Sequence, residues 1–268
     1  MFDENPNLIQ DPIEPSWEQP TPLVLIHDGG GTIFSYYCLG LIDRPMYGIW
    51  NPYFEKEGSF GSLNEMARTY LDFIKSVHPS GKIIIGGWSL GGLVSLEIAS
   101  ILARETNPEL DLLGIVMIDS ICPLKMHVQA QPIVQHAMEW SHNTKDETRR
   151  LVGKCFAEAT ALVNKWTLPA FEKDPSSFKK SPPPPVMLLK AREAVPITGE
   201  GISRVDVHRK DSQLGWGLYR PDLIKRVLDI PGHHFNIFTS EERAEAATEQ
   251  LKVACAEIES MASASRWT

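Results

Sequence analysis

The chain has 268 residues, of which 43% are hydrophobic, 22% charged and 9% aromatic, a composition typical of a globular protein with a buried core. Its formal net charge is −8 and the charges are dispersed, so the sequence does not favour nucleic-acid binding. No apolar stretch approaches the roughly 20 residues of a membrane span, and the acidic, proline-bearing N-terminus does not resemble a signal peptide.

The first half of the chain alternates between short apolar runs and glycine- or proline-bearing turns. Residues 1–20 predict an extended leader, because four prolines stand there among acidic and amide side chains. The apolar run 23–26 predicts a strand that ends in a glycine turn at 27–31. A second strand is predicted at 46–50.

The next segment carries the clearest helical period. Apolar residues at three- and four-residue spacing predict a helix over 63–77, and Ser62 with Glu65 forms a capping box at its start. Residues 82–86 then predict a strand and residues 90–102 a helix.

A further strand is predicted at 112–118, and like the strand before it this run is apolar throughout. Such strands, separated by helices, indicate a mostly parallel sheet that is covered on both faces.

The period changes in the second half of the chain. Residues 122–182 predict a mostly helical and more polar insertion, after which strands resume at 186–189 and near 226–230. The last helix is predicted to begin at Thr239, with Glu242 completing a second capping box.

These elements predict the α/β fold class and one domain over residues 21–268 that includes the insertion, rather than two independent domains. The four cysteines stand far apart without CxxC spacing, which excludes a zinc ribbon or a disulfide framework and indicates reduced thiols in a cytoplasmic protein.

The strongest chemical signal is the pentapeptide Gly87-Trp88-Ser89-Leu90-Gly91, which matches the G-x-S-x-G nucleophile elbow. It follows an apolar strand and opens an apolar helix, as that motif requires. Glycine is needed two residues before and after Ser89 because a sharp, strained turn leaves no room for a Cβ there. The alternative is a glycine-rich turn that merely packs closely.

A serine hydroxyl needs a base to act as a nucleophile at neutral pH. His233 and His234 follow the last predicted strand, where this architecture places its base. We favour His234, because Phe235, Ile237 and Phe238 are able to enclose it. His233 remains the alternative.

The acid that orients the imidazole is expected at the end of a strand. Asp119 directly follows the strand 112–118, whereas Glu193 follows the strand 186–189 by a few residues in a more polar stretch. We favour Asp119 because its position is more tightly fixed, with Glu193 as the alternative. Either carboxylate also fits an ordinary turn or helix cap.

Acyl chemistry also needs N–H donors for the oxyanion. The N–H of Leu90, next to the candidate nucleophile, is one, and the glycine turn supplies the second, which we assign to Gly29. A phosphate-binding turn is excluded, because neither G-x-G-x-x-G nor G-K-[ST] is present.

With these residues the sequence resembles, over about residues 21–258, the α/β-hydrolase thioesterase domains that release products from polyketide synthases, non-ribosomal peptide synthetases and fatty-acid synthases. The fungal type is the most similar; it occurs at the end of such assembly lines or as a separate protein. The resemblance rests on four segments: Pro22 to Gly31, Gly86 to Gly92, Ile118-Asp119-Ser120 and Gly232-His233-His234-Phe235.

The resemblance implies an α/β-hydrolase fold with a helical lid at about 122–182, and it strengthens the choice of Asp119 and His234. It further implies that a polyketide or peptidyl chain arrives on the phosphopantetheine of an acyl or peptidyl carrier protein, with no other cofactor and no metal. The chain would be transferred to Ser89 and released by hydrolysis, cyclisation or transfer in secondary-metabolite biosynthesis.

Other functions fit the same residues. An esterase, a lipase, an acyltransferase or a Claisen-type cyclase would use the same triad, with the lid controlling access of water. A non-catalytic binding protein with this fold is a further alternative. The short leader fits either a free-standing enzyme or an excised domain.

Overall fold

The computed structural model describes residues 4–12, 20–105, 108–124, 132–134, 140, 143–171 and 182–264. Nine strands lie within these ranges: β1 (Asn7–Gln10), β2 (Leu23–Ile26), β3 (Met46–Ile49), β4 (Gly81–Trp88), β5 (Leu110–Ile118), β6 (Ile133–Val134), β7 (Val186–Ala191), β8 (Ile202–Ser203) and β9 (Ile224–Ile230). Seven of them form one sheet in the order β1-β3-β2-β4-β5-β7-β9, and β6 pairs with β8 separately.

Within the sheet only β1 runs antiparallel, on β3, and the other neighbours are parallel. The described helices are α1 (Leu63–Val77), α2 (Leu90–Leu102), α3 (Asp146–Lys165), α4 (Trp216–Tyr219) and α5 (Glu241–Ala264), with 3-10 turns at Phe34–Cys38 and Arg204–Asp206.

The core has one layer on each face of the sheet, because successive strand residues point to opposite sides. Val24 and Ile26 pack in the layer that contains α1 and α2, whereas Leu23 and Leu25 pack in the layer that contains α5. Every residue of α2 is buried, which explains why this helix is apolar nearly all round. The predicted α/β class, with a mostly parallel sheet covered on both faces, is confirmed.

Three details differ from, or extend, the sequence-based elements. The cap of helix α5 is Ser240, one residue after the expected Thr239: Ser240 Oγ accepts the N–H of Arg243 at 3.4 Å, while Thr239 Oγ1 donates to the carbonyl of Asn236. Part of the predicted leader forms the edge strand β1. The described part of the predicted lid contains β6 and α3, and the remainder of it lies outside the described residues.

The parallel arrangement concentrates loops at one edge of the sheet. Ile26 pairs with Gly87, Trp88 with Ile118, and Ile118 with Leu189. The carboxyl ends of β2, β4, β5, β7 and β9 therefore meet at that edge, where open α/β sheets bind their ligands.

The cap of α1 gives the first prediction. Only the Ser62 half of the expected capping box is present, because Glu65 Oε2 accepts the N–H of Gly61 rather than that of Ser62. Ser62 Oγ accepts the N–H of Glu65 at 3.1 Å, so Ser62→Ala leaves that N–H without its cap. We expect a loss of about 1 kcal/mol in the free energy of unfolding, measured by urea denaturation. Ser76→Ala is the control, because the Ser76 hydroxyl only donates to the Phe73 carbonyl in the last turn. Equal losses in both variants would contradict the assignment.

Candidate active site

Ser89 lies in the turn between β4 and α2 with φ +56° and ψ −111°, a left-handed conformation that is strained for a residue with a side chain. The turn is pressed against the end of β2. A Cβ on Gly91 would lie 2.2 Å from the Ile26 carbonyl oxygen, and one on Gly87 would lie 2.3 Å from the same atom. Only glycine at both positions permits this approach, which presents the Ser89 side chain at the edge of the sheet.

A chain of two hydrogen bonds links the loops after β4, β9 and β5. His234 Nε2 lies 3.1 Å from Ser89 Oγ, and His234 Nδ1 lies 2.8 Å from Asp119 Oδ2. Because an ionised carboxylate only accepts, Nδ1 carries the hydrogen, and Nε2 is left to accept the Ser89 hydroxyl proton. The structure therefore brings together the three residues that the sequence analysis favoured.

Asp119 is fully buried and has four hydrogen-bond donors. Its Oδ1 accepts from the Ala191 N–H at 2.9 Å and from Arg209 Nη1 at 2.6 Å, and its Oδ2 accepts from Arg209 Nη2 at 2.7 Å as well as from His234. Burial raises the pKa of Asp119, but the hydrogen bonds from Arg209 and His234 outweigh it and bring the pKa to about 2. Asp119 is therefore an anion at neutral pH.

Arg209 is a residue that the sequence analysis missed. It also donates from Nε to Asp206 Oδ1 at 2.8 Å and from Nη1 to the Ala191 carbonyl at 2.8 Å. The local spacing of Asp206 and Arg209 indicates an ion pair between those two. Nothing in the sequence joins either of them to Asp119, which lies 90 residues away from Arg209 along the chain.

The two alternative site residues occupy other positions. His233 is half-buried, its Nδ1 accepts the N–H of Phe235, and its own N–H donates to Asn236 Oδ1 at 2.7 Å. Glu193 is exposed, and its Oε1 accepts the N–H of Gly232 at 3.3 Å. Both residues thus support the turn that carries His234, and neither bonds to Ser89 or Asp119 among the described residues.

Aromatic rings enclose the imidazole of His234. The Phe235 ring lies 4.9 Å from it and the Trp88 ring 5.7 Å, measured between ring centres. Phe238 packs on Trp88 at 5.3 Å. Phe235 was expected in this role, whereas Trp88 had been assigned only to the elbow motif. These rings also line an open groove of about 210 Å³ together with Phe34, Ser35, Cys38 and Thr239.

In the glycine turn after β2, some backbone N–H groups have a hydrogen-bond acceptor and others do not. The Gly30 N–H donates to Asp28 Oδ1 at 3.0 Å, and the Gly31 N–H donates to the Asp28 carbonyl at 3.2 Å. The N–H groups of Gly29 and Leu90 have no acceptor among the described residues. These two donors, which the sequence analysis assigned to the oxyanion, are therefore available to a ligand.

Two buried titratable groups flank this turn. Burial lowers the pKa of His27 to about 4, so its imidazole is neutral, and its Nε2 lies 2.6 Å from the Tyr70 hydroxyl. Burial raises the pKa of Asp28 to about 6, although the Gly30 N–H and the charge of His234 act in the opposite direction. Asp28 therefore titrates close to neutral pH beside the proposed site.

Helix α3 lies directly over the glycine turn. A Cβ on Gly29 would lie 2.8 Å from Phe156, and one on Gly31 would lie 2.9 Å from the Cys155 sulfur. Between α3 and the turn remains a cavity of about 10 Å³, room for about one water molecule, which His27, Gly29, Leu90 and Leu162 help to line.

No group of three His, Cys, Asp or Glu side chains in the described ranges is arranged to hold a metal ion. None of the helices in those ranges combines the length and the apolar character needed to cross a bilayer.

Comparison with known proteins gives a family match. Residues 21–165 match the family described as "Thioesterase domain". Thioesterase frbE of Dothideomycetidae sp. is 36% identical, over 94% of this chain and 95% of its own length. The probable thioesterase gloN of Glarea lozoyensis is 33% identical, over 95% of this chain and 98% of its own length.

Solved structures show the same fold. The NocB thioesterase domain from the nocardicin cluster covers 88% of this chain and 94% of its own, with a TM-score of 0.62 at 22% identity. The Vlm2 thioesterase domain covers 94% and 99%, with a TM-score of 0.59 at 17% identity. The architecture is therefore the α/β-hydrolase fold.

Tyr36 gives the second prediction. Its buried hydroxyl donates to the Ile26 carbonyl at 2.6 Å and accepts the Trp88 N–H at 2.9 Å, so it joins the ends of β2 and β4. Tyr36→Phe leaves both backbone groups unsatisfied, and we expect a loss of about 1–3 kcal/mol in the free energy of unfolding. Tyr47→Phe is the control, because that hydroxyl has no partner among the described residues. A free energy of unfolding for Tyr36→Phe equal to that of the parent would contradict a stabilising role of the Tyr36 hydroxyl between β2 and β4.

Asp28 gives the third prediction, on pH. Its pKa in the folded chain, about 6, exceeds the ordinary value of 3.8, so the folded state binds more protons than the unfolded state between these values. The stabilisation by the protonated carboxyl is therefore lost as pH rises from about 4 to 6. Asp28→Asn keeps an acceptor for the Gly30 N–H without this loss.

We expect Asp28→Asn to gain stability relative to the parent as pH rises, by on the order of 2–3 kcal/mol between about pH 4.5 and pH 7.5. Urea denaturation at several pH values measures the difference, and Asp229→Asn, at an exposed position, is the control for the substitution itself. A difference that stays constant with pH would refute the assignment.

Proposed function

This chain belongs to the thioesterase domain family, and we propose that Ser89 attacks a carrier-bound thioester while His234 takes its proton and Asp119 orients the imidazole. The observation that carries the proposal is the continuous hydrogen-bond chain from Ser89 Oγ through His234 to Asp119. A nucleophile, a base and an orienting acid in this order are the parts that acyl transfer through serine requires.

The first half-reaction forms an acyl-enzyme. As Ser89 Oγ bonds to the thioester carbon, its proton moves to His234 Nε2, and the carbonyl oxygen gains the negative charge. The N–H groups of Leu90 and Gly29 receive that oxyanion. When the tetrahedral intermediate collapses, the carbon–sulfur bond breaks and His234 returns the proton to the leaving sulfur.

The second half-reaction repeats these steps with a new nucleophile. A nucleophile loses its proton to His234 and attacks the ester on Ser89; the bond to Ser89 Oγ then breaks, and His234 returns the proton to that oxygen. Water gives an acid, a hydroxyl or amine of the acyl chain gives a macrocycle, and a hydroxyl or amine of another molecule gives a transferred acyl group. Asp119 stays ionised throughout, because its pKa of about 2 keeps it an acceptor for the imidazolium.

The family and the surroundings of the site support a proposal for the substrate class. We infer that a polyketide or peptidyl chain arrives on the phosphopantetheine of a carrier protein and that no bound cofactor takes part. Proteins of solved structure with the same fold include a thioesterase from the prodiginine biosynthetic pathway and a four-domain nonribosomal peptide synthetase. The apolar groove beside Trp88 and Phe235 suits an uncharged acyl or pantetheine segment.

Helix α3 forms part of the lid in this proposal. It covers the glycine turn, because Phe156 and Cys155 lie against Gly29 and Gly31. We infer that the acyl chain lies in the groove lined by Trp88 and Phe235 as it approaches Ser89. A cover of this kind over the turn restricts access of water to the acyl-enzyme, which decides between hydrolysis and cyclisation or transfer.

Ser89→Ala is the fourth prediction. Without its nucleophile the enzyme forms no acyl-enzyme, so we expect turnover of an acyl N-acetylcysteamine thioester to fall by about 10³-fold or more. Covalent labelling by a fluorophosphonate, followed by intact mass, is expected to disappear with it. Ser100→Ala is the control, because this buried hydroxyl also lies in the α2 region but has no hydrogen-bond partner among the described residues.

The same experiment separates the alternatives. Parallel incubation with an ester and a thioester, with products weighed by mass spectrometry, distinguishes an esterase from a thioesterase and hydrolysis from cyclisation or transfer. Undiminished turnover by Ser89→Ala would exclude Ser89 as the nucleophile. The absence of both labelling and turnover in the parent protein would favour a binding protein.

A further inference from the structure

We infer that Arg209 is a positioning residue of the proposed triad, which holds the Asp119 carboxylate by both oxygens and offsets its charge beside His234. This inference rests on the function proposed above. The hydrogen bonds of Arg209 go to Asp119, Asp206 and two backbone carbonyls, and none of them goes to Ser89, so its effect on the reaction passes through Asp119 and the imidazole.

The Arg209 guanidinium contacts the Asp119 carboxylate in a bidentate geometry, here called the fork. Nη1 bonds Oδ1 at 2.6 Å and Nη2 bonds Oδ2 at 2.7 Å, and Oδ2 is the oxygen that also accepts from His234 Nδ1. Two parallel bonds prevent rotation of the carboxylate plane about its Cβ–Cγ bond. The direction of the bond to His234 is therefore set by the guanidinium.

The guanidinium is itself held by the loop that follows β8. Arg209 Nε bonds Asp206 Oδ1, Nη2 also bonds the Val205 carbonyl at 3.3 Å, and Asp206 Oδ2 accepts the Val195 N–H at 2.7 Å. The Arg209 side chain is 8% exposed. An arginine that is buried and bonded along its whole head group has little freedom to leave Asp119.

The net charge of Asp119, Asp206 and Arg209 favours the formation of an imidazolium at His234. Asp119, Asp206 and Arg209 together carry a net charge of −1, which a protonated His234 balances. Without the guanidinium the two carboxylates would leave −2 next to the imidazole and make it a stronger base. Arg209 therefore offsets one of the two carboxylate charges that lie close to the imidazole.

Other groups face His234 and enter any pH profile. Ser89 meets Nε2, the Trp88 and Phe235 rings pack on the imidazole, and Asp28 interacts with it electrostatically. His233 is the neighbour in the chain. Of the carboxyl groups, Asp28 titrates near neutral pH, so its contribution has to be separated from that of Arg209.

The test compares Arg209→Met and Arg209→Lys by the pH dependence of kcat/KM on an acyl N-acetylcysteamine thioester, with active sites counted by fluorophosphonate titration. Methionine removes the charge and the fork, so we expect the acid-limb pKa to rise by about one unit and kcat per titrated site to fall about 10-fold. Lysine keeps the charge, so kcat falls while the pKa stays close to that of the parent.

Two controls separate positioning from stability. Arg44→Met removes a comparable fork, in which Nη1 and Nη2 bond Glu259 at 3.0 and 3.3 Å away from the site, and it leaves the acid-limb pKa unchanged. Repeating Arg209→Met in an Asp28→Asn background tests whether the shift persists without the second titrating carboxyl. A purely structural role would lower the titratable fraction and leave the pKa and kcat per site unaltered.

The outcomes are distinguishable from those of the proposed function. Full turnover by Ser89→Ala would overturn that function and this inference together. An acid-limb pKa in Arg209→Met equal to the parent's, with turnover that still requires Ser89, would overturn the inference alone. If Arg209→Met does not fold, Arg209→Lys provides the test. An unchanged kcat per titrated site in Arg209→Lys would overturn the inference that the two-bond guanidinium contact positions Asp119.

Discussion

The site depends on the close approach of the β4–α2 turn to the end of β2. Because residues 87 and 91 have no Cβ, the Ile26 carbonyl can sit against the turn, and Ser89 is held at φ +56°. The Tyr36 hydroxyl bonds the same carbonyl and the Trp88 N–H, and so closes the gap between the two strands. A serine fixed in this way gives the residues after β5 and β9 a defined point to meet.

The two buried carboxyl groups near His234 have pKa values that are shifted in opposite directions. At Asp119 four donors, two of them from a guanidinium, outweigh the loss of solvation and keep the group ionised. Asp28 has the Gly30 N–H as its side-chain partner, so loss of solvation dominates and its pKa rises to about 6. Two similar side chains thereby acquire distinct electrostatic behaviour beside one imidazole.

Much of this arrangement was predictable because it is encoded locally. The apolar runs of β2, β4, β5 and β7, and the helices α1 and α2, follow from residues that are neighbours in the chain. The cap of α5 was misplaced because Thr239 and Ser240 are both capable of capping, and the backbone geometry selects Ser240. The part of residues 1–20 that forms β1 was expected to be merely extended, because the residues of β1 contain no sequence pattern that indicates pairing with β3.

The sequence alone determined the elbow at Ser89, the strand-end carboxylate Asp119 and the pair of histidines after β9, since each depends on residue types at short spacing. Only the tertiary structure decided that His234 and not His233 approaches Ser89, across 145 residues of chain. The same holds for Arg209 on Asp119 and for Trp88 and Tyr36 around the turn. Contacts between distant segments depend on how the strands are ordered in the sheet, and a local pattern carries no record of that order.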